Sequence, residues 1–233
     1  MEVFLIGGGW SDAHAHDMFG GFVVAAAAHA EDRPPRVLLV VMGVDDEARD
    51  YHEKFVRVLG RVGVTDLFVE RVAEGSTLDA AVLDGVDGLF VGGGPMPEYH
   101  ASLAPAYPQI RELVRGGLPY AGFSAGAAIA ATTAIVGGWT VDGVPVCPED
   151  SNEDLDPVTV VEGLGLVDGA VDVHAAQWGN VSRLVAAVES GLVPGGIALD
   201  ECTTLLPDGD VAGAGRLWRV SRDGERVVVS RHR

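Results

Sequence analysis

Short apolar runs bounded by Gly, Pro or Asp recur along the first half of the chain, at residues 3–6, 37–42, 66–69, 88–91 and 120–123. Runs of aliphatic and β-branched residues of this length are typical of buried strands. Between them lie stretches of helical periodicity. In residues 45–63, Phe55, Val58 and Leu59 share one face and acidic residues occupy the first turn, which predicts a helix.

Alternation of strand and helix over roughly the first 135 residues predicts βαβ units and a parallel sheet. The last third differs, because short apolar runs are separated there by turn signals such as Pro207-Asp208-Gly209. The sequence therefore predicts an α/β fold: a doubly wound, mostly parallel sheet flanked by helices, with C-terminal antiparallel strands. Residues 1–233 are expected to form a single domain. The predicted C-terminal strands are 199–206, 210–214, 217–220 and 226–230.

Composition narrows the function classes. Hydrophobic residues make up 48% of the chain and charged residues 21%, as in a well-buried globular protein. A formal charge of -18 repels phosphate backbones and anionic lipids, so neither nucleic acid nor a membrane is an expected partner. With two cysteines, no signal-peptide pattern and no apolar run of membrane-spanning length, a cytoplasmic location is expected.

The segment Gly122-Phe123-Ser124-Ala125-Gly126 lies between a predicted strand and an Ala-rich predicted helix. A serine hydroxyl can attack only if it stands free on a tight turn, and small neighbours let the surrounding backbones pack closely there. Ser124 is therefore a candidate nucleophile, and the Ala125 amide can donate to a developing oxyanion. The alternatives are a Gly-rich helix start packed on the sheet or an anion site without catalysis.

A second small-residue turn, Gly92-Gly93-Gly94-Pro95, also follows a predicted strand. Both turns are expected at the carboxyl edge of the sheet, where ligands bind in open α/β folds. The amides of Gly93 or Gly94 are therefore candidates for a second oxyanion donor. The acid-rich stretch 148–157 is interpreted either as a mobile flap near the site or as a solvated surface loop.

Among seven histidines, His174 ends the predicted strand 169–173 and is expected at the same sheet edge as Ser124. This placement makes His174 the candidate general base. His14 and His16 have a spacing that can chelate a metal, but no further Cys or His cluster completes a site. No metal site is therefore expected.

The base requires a carboxylate to orient it. Another predicted strand ends at Asp200-Glu201, and either residue could orient His174. Asp142, soon after the nucleophile helix, is a further position from which a carboxylate might serve. With Asp200 or Glu201 as the acid, the chain order is serine, histidine, acid, which differs from the order serine, acid, histidine of the α/β-hydrolases.

Together these motifs resemble peptidase family S51, which contains dipeptidase E and cyanophycinase. The resemblance implies a flavodoxin-like fold similar to that of class I glutamine amidotransferases, with Ser in place of their Cys. It covers almost the whole chain. The motifs that carry it are Phe90-Val91-Gly92-Gly93-Gly94, Gly122-Phe123-Ser124-Ala125-Gly126-Ala127, Asp172-Val173-His174 with Arg183-Leu184, and Gly196-Ile197-Ala198-Leu199-Asp200-Glu201-Cys202-Thr203.

By this resemblance Ser124 is the nucleophile and His174 the base. The acid matches Glu201 in the cyanophycinase-like branch and Asp142 in the dipeptidase E branch, and we prefer Glu201. The resemblance also implies hydrolysis of small peptides through an acyl-enzyme, without a cofactor, and a homodimer. Its implied oxyanion-hole amides are those of Gly93, Gly94 and Ala125.

Two departures from the family pattern concern the substrate. Pro95-Met96 stands where the family usually has an Asn and a following Gln or Thr, and Gln177-Trp178 follow the base where the family has closely spaced arginines, of which Arg183 alone is retained. Met96, Gln177 and Arg183 are thus the predicted substrate-binding positions. For Arg183, which could hold a substrate carboxylate, a surface salt bridge is the alternative. Aspartyl, β-aspartyl and cyanophycin-like substrates stay open. So do two alternatives, an amidotransferase-like domain and a non-catalytic ligand-binding protein.

Overall fold

The computed structural model describes the backbone of residues 1–233 and every side chain except that of Glu47. The α-helices are α1 (Ala15–Ala30), α2 (Asp46–Arg61), α3 (Met96–Leu103), α4 (Tyr107–Arg115), α5 (Ala125–Ile129) and α6 (Asn180–Glu189). The strands are β1 (Val3–Ile6), β2 (Arg36–Met42), β3 (Asp66–Val72), β4 (Gly88–Val91), β5 (Tyr120–Phe123), β6 (Thr133–Gly137), β7 (Thr140–Val141), β8 (Val144–Pro145), β9 (Thr159–Glu162), β10 (Ala170–Asp172), β11 (Gly195–Leu199), β12 (Thr203–Leu205), β13 (Val211–Gly213), β14 (Leu217–Asp223) and β15 (Arg226–His232).

The central sheet has seven strands in the order β13-β12-β1-β5-β4-β2-β3. The five strands from β1 to β3 pair in parallel, whereas β12 pairs antiparallel with both β1 and β13. The predicted fold class, a mostly parallel sheet with antiparallel C-terminal strands, is confirmed. The predicted helix 45–63 is α2, and it begins where the Asp45 side chain accepts a hydrogen bond from the Ala48 amide at 2.7 Å.

Both faces of the central sheet are covered by helices. Alternate residues of a strand point to opposite faces. In β2, Val37 and Leu39 belong to the cluster that includes α1 and α2, whereas Leu38 and Val40 belong to the cluster that includes α3, α4 and α5. All four side chains are fully buried. The continuous apolar run of β2 is thus explained by burial on two sides.

A second sheet of four strands, in the order β10-β11-β14-β15, packs against α6. The expectation that the strand leading to His174 shares a sheet edge with Ser124 is wrong, because β10 belongs to this second sheet and β5 to the central one. The predicted strand 199–206 is also divided. β11 ends at Leu199 in the second sheet and β12 begins at Thr203 in the central sheet.

Asp200 explains the division. Its carboxylate accepts hydrogen bonds from the Ala176 and Arg216 amides and from the Trp218 indole, at 3.1, 2.9 and 2.9 Å. These bonds fix a turn between the two sheets. The organisation as one domain stays a prediction. Among the described residues, no helix combines the length and the apolar character needed to cross a bilayer.

Phe55 of α2 provides a test of this packing. It is fully buried and contacts the rings of Phe90 and Phe123 edge-on, at centroid distances of 5.8 and 5.1 Å. We expect Phe55→Ala to lower the free energy of unfolding by about 3–5 kcal/mol, because it leaves a cavity. Phe68→Ala, at a side chain 38% exposed, should cost about 1 kcal/mol. Urea unfolding measures both, and equal losses would contradict the packing described.

Candidate active site

Ser124 stands on a strained turn between β5 and α5. Its φ of 51° lies in the left-handed region that residues with a side chain rarely adopt. The turn needs glycine on both sides: a Cβ on Gly122 would lie 2.3 Å from the Gly126 carbonyl oxygen, and one on Gly126 would lie 2.3 Å from that of Val91. The Gly-x-Ser-x-Gly spacing therefore follows from close backbone packing.

His174 contacts the Ser124 hydroxyl. Its Nε2 lies 2.8 Å from Ser124 Oγ, although the two residues are 50 positions apart in sequence. His174 follows β10 with a φ of 52°, and its amide donates to the Gly7 carbonyl at 3.1 Å. Gly8 lies directly against the imidazole, since a Cβ there would come within 2.2 Å of Cε1. The Trp178 ring stacks on the imidazole at a centroid distance of 3.9 Å.

Glu201 completes the chain of contacts. Its Oε1 lies 2.8 Å from His174 Nδ1, and its own amide donates to Gln177 Oε1 at 2.9 Å. Asp142 is elsewhere, in an exposed turn of the β7–β8 hairpin, and Asp200 is occupied by the three donors described above. Of the three acids considered from the sequence, Glu201 is the one brought to the histidine.

This hydrogen-bond network assigns the imidazole proton to Nδ1, which donates to Glu201, and leaves Nε2 to accept from the Ser124 hydroxyl. Burial lowers the pKa of His174, and the hydrogen bond to Glu201 opposes that effect. The imidazole is therefore neutral near pH 7, as a general base requires. The arrangement can activate the serine and stabilise the imidazolium that forms.

Backbone amides face the same region. Gly93 packs against Ser124, because a Cβ on Gly93 would lie 3.0 Å from that of the serine. Among the described residues, no backbone or side-chain acceptor bonds the amides of Gly93, Gly94 or Ala125. Ala125 is also the first residue of α5. These amides are available as hydrogen-bond donors to an anion formed beside Ser124.

A cleft of about 380 Å³ opens onto these groups. The carboxylate of Glu153, which was not predicted from the sequence, lines this cleft. Aromatic side chains line it as well. No Lys or Arg occurs among its described lining residues. These residues are Gly9, Trp10, Tyr51, Gly94, Phe123, Ser124, Glu153, His174, Trp178 and Glu201. The acid-rich composition of stretch 148–157 was the signal for Glu153, and the stretch does lie beside the site.

The three predicted substrate-binding residues lie in different places in the structure. Arg183 is fully buried, and its guanidinium donates to both carboxylate oxygens of Asp172, at 2.9 and 2.7 Å, and to the carbonyls of Ser151 and Gly138. It does not line the cleft. The Met96 side chain is buried in the core, and its amide donates to Glu153 Oε2 at 3.2 Å.

Gln177 is exposed and lines a neighbouring pocket with Trp178. His14 makes an exposed contact with Asp17, at 3.1 Å. Across the part of the chain that the structure describes, no three His, Cys, Asp or Glu side chains are grouped as metal ligands would be.

The family model described as "Peptidase family S51" matches residues 4–213. No curated protein sequence matches the chain. The chain is similar in structure to a peptidase from an acI-B1 Actinobacterium, with a TM-score of 0.68, 17% identity and coverage of 97% of this chain and 93% of that one.

It is also similar to a protein assigned as a peptidase E from Listeria monocytogenes EGD-e. That similarity has a TM-score of 0.51 and 17% identity, and it covers 100% of this chain and 98% of that one. At this level of identity both solved structures support the fold.

Substitution of Gly8 tests the packing around His174. We expect Gly8→Ala to slow the reaction of Ser124 with a fluorophosphonate probe by about 100-fold or more, because the new methyl group displaces the His174 ring. Gly20→Ala is the matched control, since a Cβ at that helical position has no neighbour within 4 Å among the described residues. Labelling of the two variants at equal rates would show that the Gly8 contact is unimportant.

Substitution of Glu201 tests how its charge affects the pKa of His174. The labelling rate should rise with pH as His174 loses its proton, with a midpoint below the ordinary histidine value of about 6.5, because burial lowers this pKa. Glu201→Gln removes the charge that favours the imidazolium. It should therefore move the midpoint to lower pH and slow labelling by about 100-fold or more.

The control is Glu162→Gln, the same change at a side chain 85% exposed. It should leave the pH profile and the labelling rate as in the wild type. A Glu201→Gln midpoint equal to or above the wild-type value would contradict the role of this carboxylate.

Proposed function

The chain belongs to peptidase family S51, and on that premise we propose that it is a serine peptidase that cleaves short peptides through an acyl-enzyme. Ser124 is the nucleophile, His174 the general base and Glu201 the acid that orients it. The observation that carries the proposal is the chain of two hydrogen bonds, each 2.8 Å long, from Ser124 Oγ through the imidazole to the Glu201 carboxylate.

In the first half of the reaction, His174 Nε2 takes the hydroxyl proton as Ser124 Oγ attacks the peptide carbonyl carbon. The tetrahedral oxyanion accepts hydrogen bonds from the Ala125 amide and from Gly93 or Gly94. One such donor contributes about 3–4 kcal/mol to transition-state stability in enzymes of this chemistry. The imidazolium then protonates the leaving amine, which departs as the acyl-enzyme forms.

In the second half, water attacks the acyl-enzyme after giving a proton to His174, and the serine leaves with that proton. The imidazolium is stabilised on one side by Glu201. The face of its ring lies on Trp178, whose π electrons attract a cation. This chemistry needs no cofactor.

The size of the cleft supports short peptides as substrates. A volume of about 380 Å³ is at the lower end of the range of small-ligand pockets. Aspartyl, β-aspartyl and cyanophycin-like peptides, which the family resemblance implies, belong in the substrate panel. Among the described lining residues, however, there is no Lys or Arg to bind an aspartyl carboxylate, and the guanidinium of Arg183 is bound to Asp172.

Ser124→Ala is the decisive variant. We expect it to abolish both peptide hydrolysis and fluorophosphonate labelling, because the attacking oxygen is removed, while the fold and the thermal midpoint of unfolding stay near those of the wild type. Mass spectrometry locates the label and chromatography of peptide products measures turnover.

Residual hydrolysis in Ser124→Ala equal to that of the wild type would rule out this nucleophile. A wild-type protein that neither takes up the probe nor cleaves any peptide of the panel would instead favour a non-catalytic ligand-binding protein.

A further inference from the structure

Glu153 reaches the catalytic cleft from stretch 148–157, in a backbone conformation that costs energy. Its φ is 55° and that of Asp154 is 59°, two successive residues with side chains in the left-handed region. The neighbouring strand allows little relaxation. A Cβ on Gly137 would lie 2.6 Å from the Asn152 carbonyl oxygen and 2.9 Å from Glu153 Cβ. Backbone strain of this kind is concentrated at functional sites, which points to a function for the Glu153 side chain.

Two hydrogen bonds fix the backbone immediately before Glu153. The Gly138 amide donates to the Asn152 carbonyl at 2.8 Å, and the buried Arg183 donates to that of Ser151 at 2.8 Å. The carboxylate itself accepts one hydrogen bond, from the Met96 amide at 3.2 Å. Glu153 is therefore held at the cleft wall by contacts to the carbonyls of the two preceding residues and to one of its own carboxylate oxygens.

The charges of the cleft are unbalanced. Glu201 and Glu153 both line it, and Glu201 is paired with His174. Among the described residues, Glu153 has no cationic side chain within salt-bridge distance. Burial raises the pKa of Glu153, which reflects lost hydration of the carboxylate. A cation bound in the cleft would replace that hydration with a charge-assisted hydrogen bond.

The remaining walls suit the same ligand. Trp10, Tyr51 and Trp178 line the cleft, and aromatic faces attract ammonium and guanidinium groups. An acidic substrate group would instead meet two carboxylates. The cleft is thus complementary to positive charge.

We propose that Glu153 is a specificity-determining residue, and that the substrates are short peptides that present a cationic group, either the N-terminal ammonium or a Lys or Arg side chain, to its carboxylate. The inference rests on the proposed peptidase function and adds the substrate class to it. A cationic group is a different recognition element from the aspartyl carboxylate that the family resemblance implies. A purely structural Glu153 would cap the Met96 amide without affecting which peptide is chosen.

The test compares four short peptides with one scaffold: lysine or its uncharged isostere norleucine, each with a free or an acetylated N-terminus. kcat/KM is measured for the wild type, Glu153→Gln and Asp154→Asn. Glutamine keeps an oxygen for the Met96 amide but removes the charge. Asp154→Asn makes the same charge change at the adjacent, exposed residue and is the matched control.

We expect the wild type to favour the cationic member of at least one peptide pair by about 10- to 100-fold, since a hydrogen bond between charged partners contributes that much. Glu153→Gln should reduce this ratio to near one, and Asp154→Asn should keep it. Loss of preference on acetylation identifies the N-terminal ammonium, and loss on replacement by norleucine identifies the side chain. A preference unchanged in Glu153→Gln, or an equal fall for all four peptides, overturns the proposal.

A binding experiment distinguishes the role of Glu153 from the proposed peptidase function. Calorimetry measures the same peptides on Ser124→Ala with and without Glu153→Gln, so no turnover is required. Cationic peptides should bind about 10-fold or more tightly when Glu153 is present. If the wild type cleaves no peptide but this difference is observed, the peptidase function fails and the role of Glu153 stands. Equal binding by the two proteins overturns the role of Glu153.

Discussion

The buried ion pair between Arg183 and Asp172 connects the parts of the molecule that meet at the site. Asp172 is the last residue of β10, two positions before His174, and Arg183 lies on α6. The same guanidinium holds the Ser151 carbonyl, next to the segment that bears Glu153. One fully buried cation thereby contacts both the strand that leads to His174 and the segment that bears Glu153. Removing one partner of such a pair leaves an uncompensated buried charge, which typically costs about 3–5 kcal/mol.

Close backbone contact is the second constraint, and it acts through glycine. The turn after β1 holds the His174 ring through Gly8 and the Glu201 side chain through Gly9, where an added Cβ would lie 2.6 Å from that of the glutamate. Both glycines have positive φ, at 90° and 73°. The turn Gly7-Gly8-Gly9 is therefore a wall of the site. It places the side chains of His174 and Glu201 next to the end of the central sheet.

Much of this could be predicted from the sequence, and the limits have physical causes. Strands such as β1 and β5 were found within their observed bounds, since burial on two faces leaves an uninterrupted apolar run. Ser124, His174 and Glu201, which the sequence predicts as site residues, are in hydrogen-bond contact in the structure. The second sheet was missed because the strand pattern of 169–173 carries no record of its pairing partner. The position of Arg183 was predicted wrongly, because its burial depends on contacts distant in sequence. Glu153 was not predicted as a site residue, because the path of its loop depends on such contacts too.

The two-sheet construction also bears on how the chain acquires reactivity as it folds. Ser124 follows a central-sheet strand, His174 follows a strand of the second sheet, and Glu201 lies in the connection between the two sheets. Contacts of such long sequence separation form slowly, because loop closure must be completed before they stabilise the chain. We therefore expect the hydroxyl to remain an ordinary alcohol in partly folded chains. The hydroxyl would then become reactive only when the two sheets dock, and nascent or misfolded chains would present no activated serine.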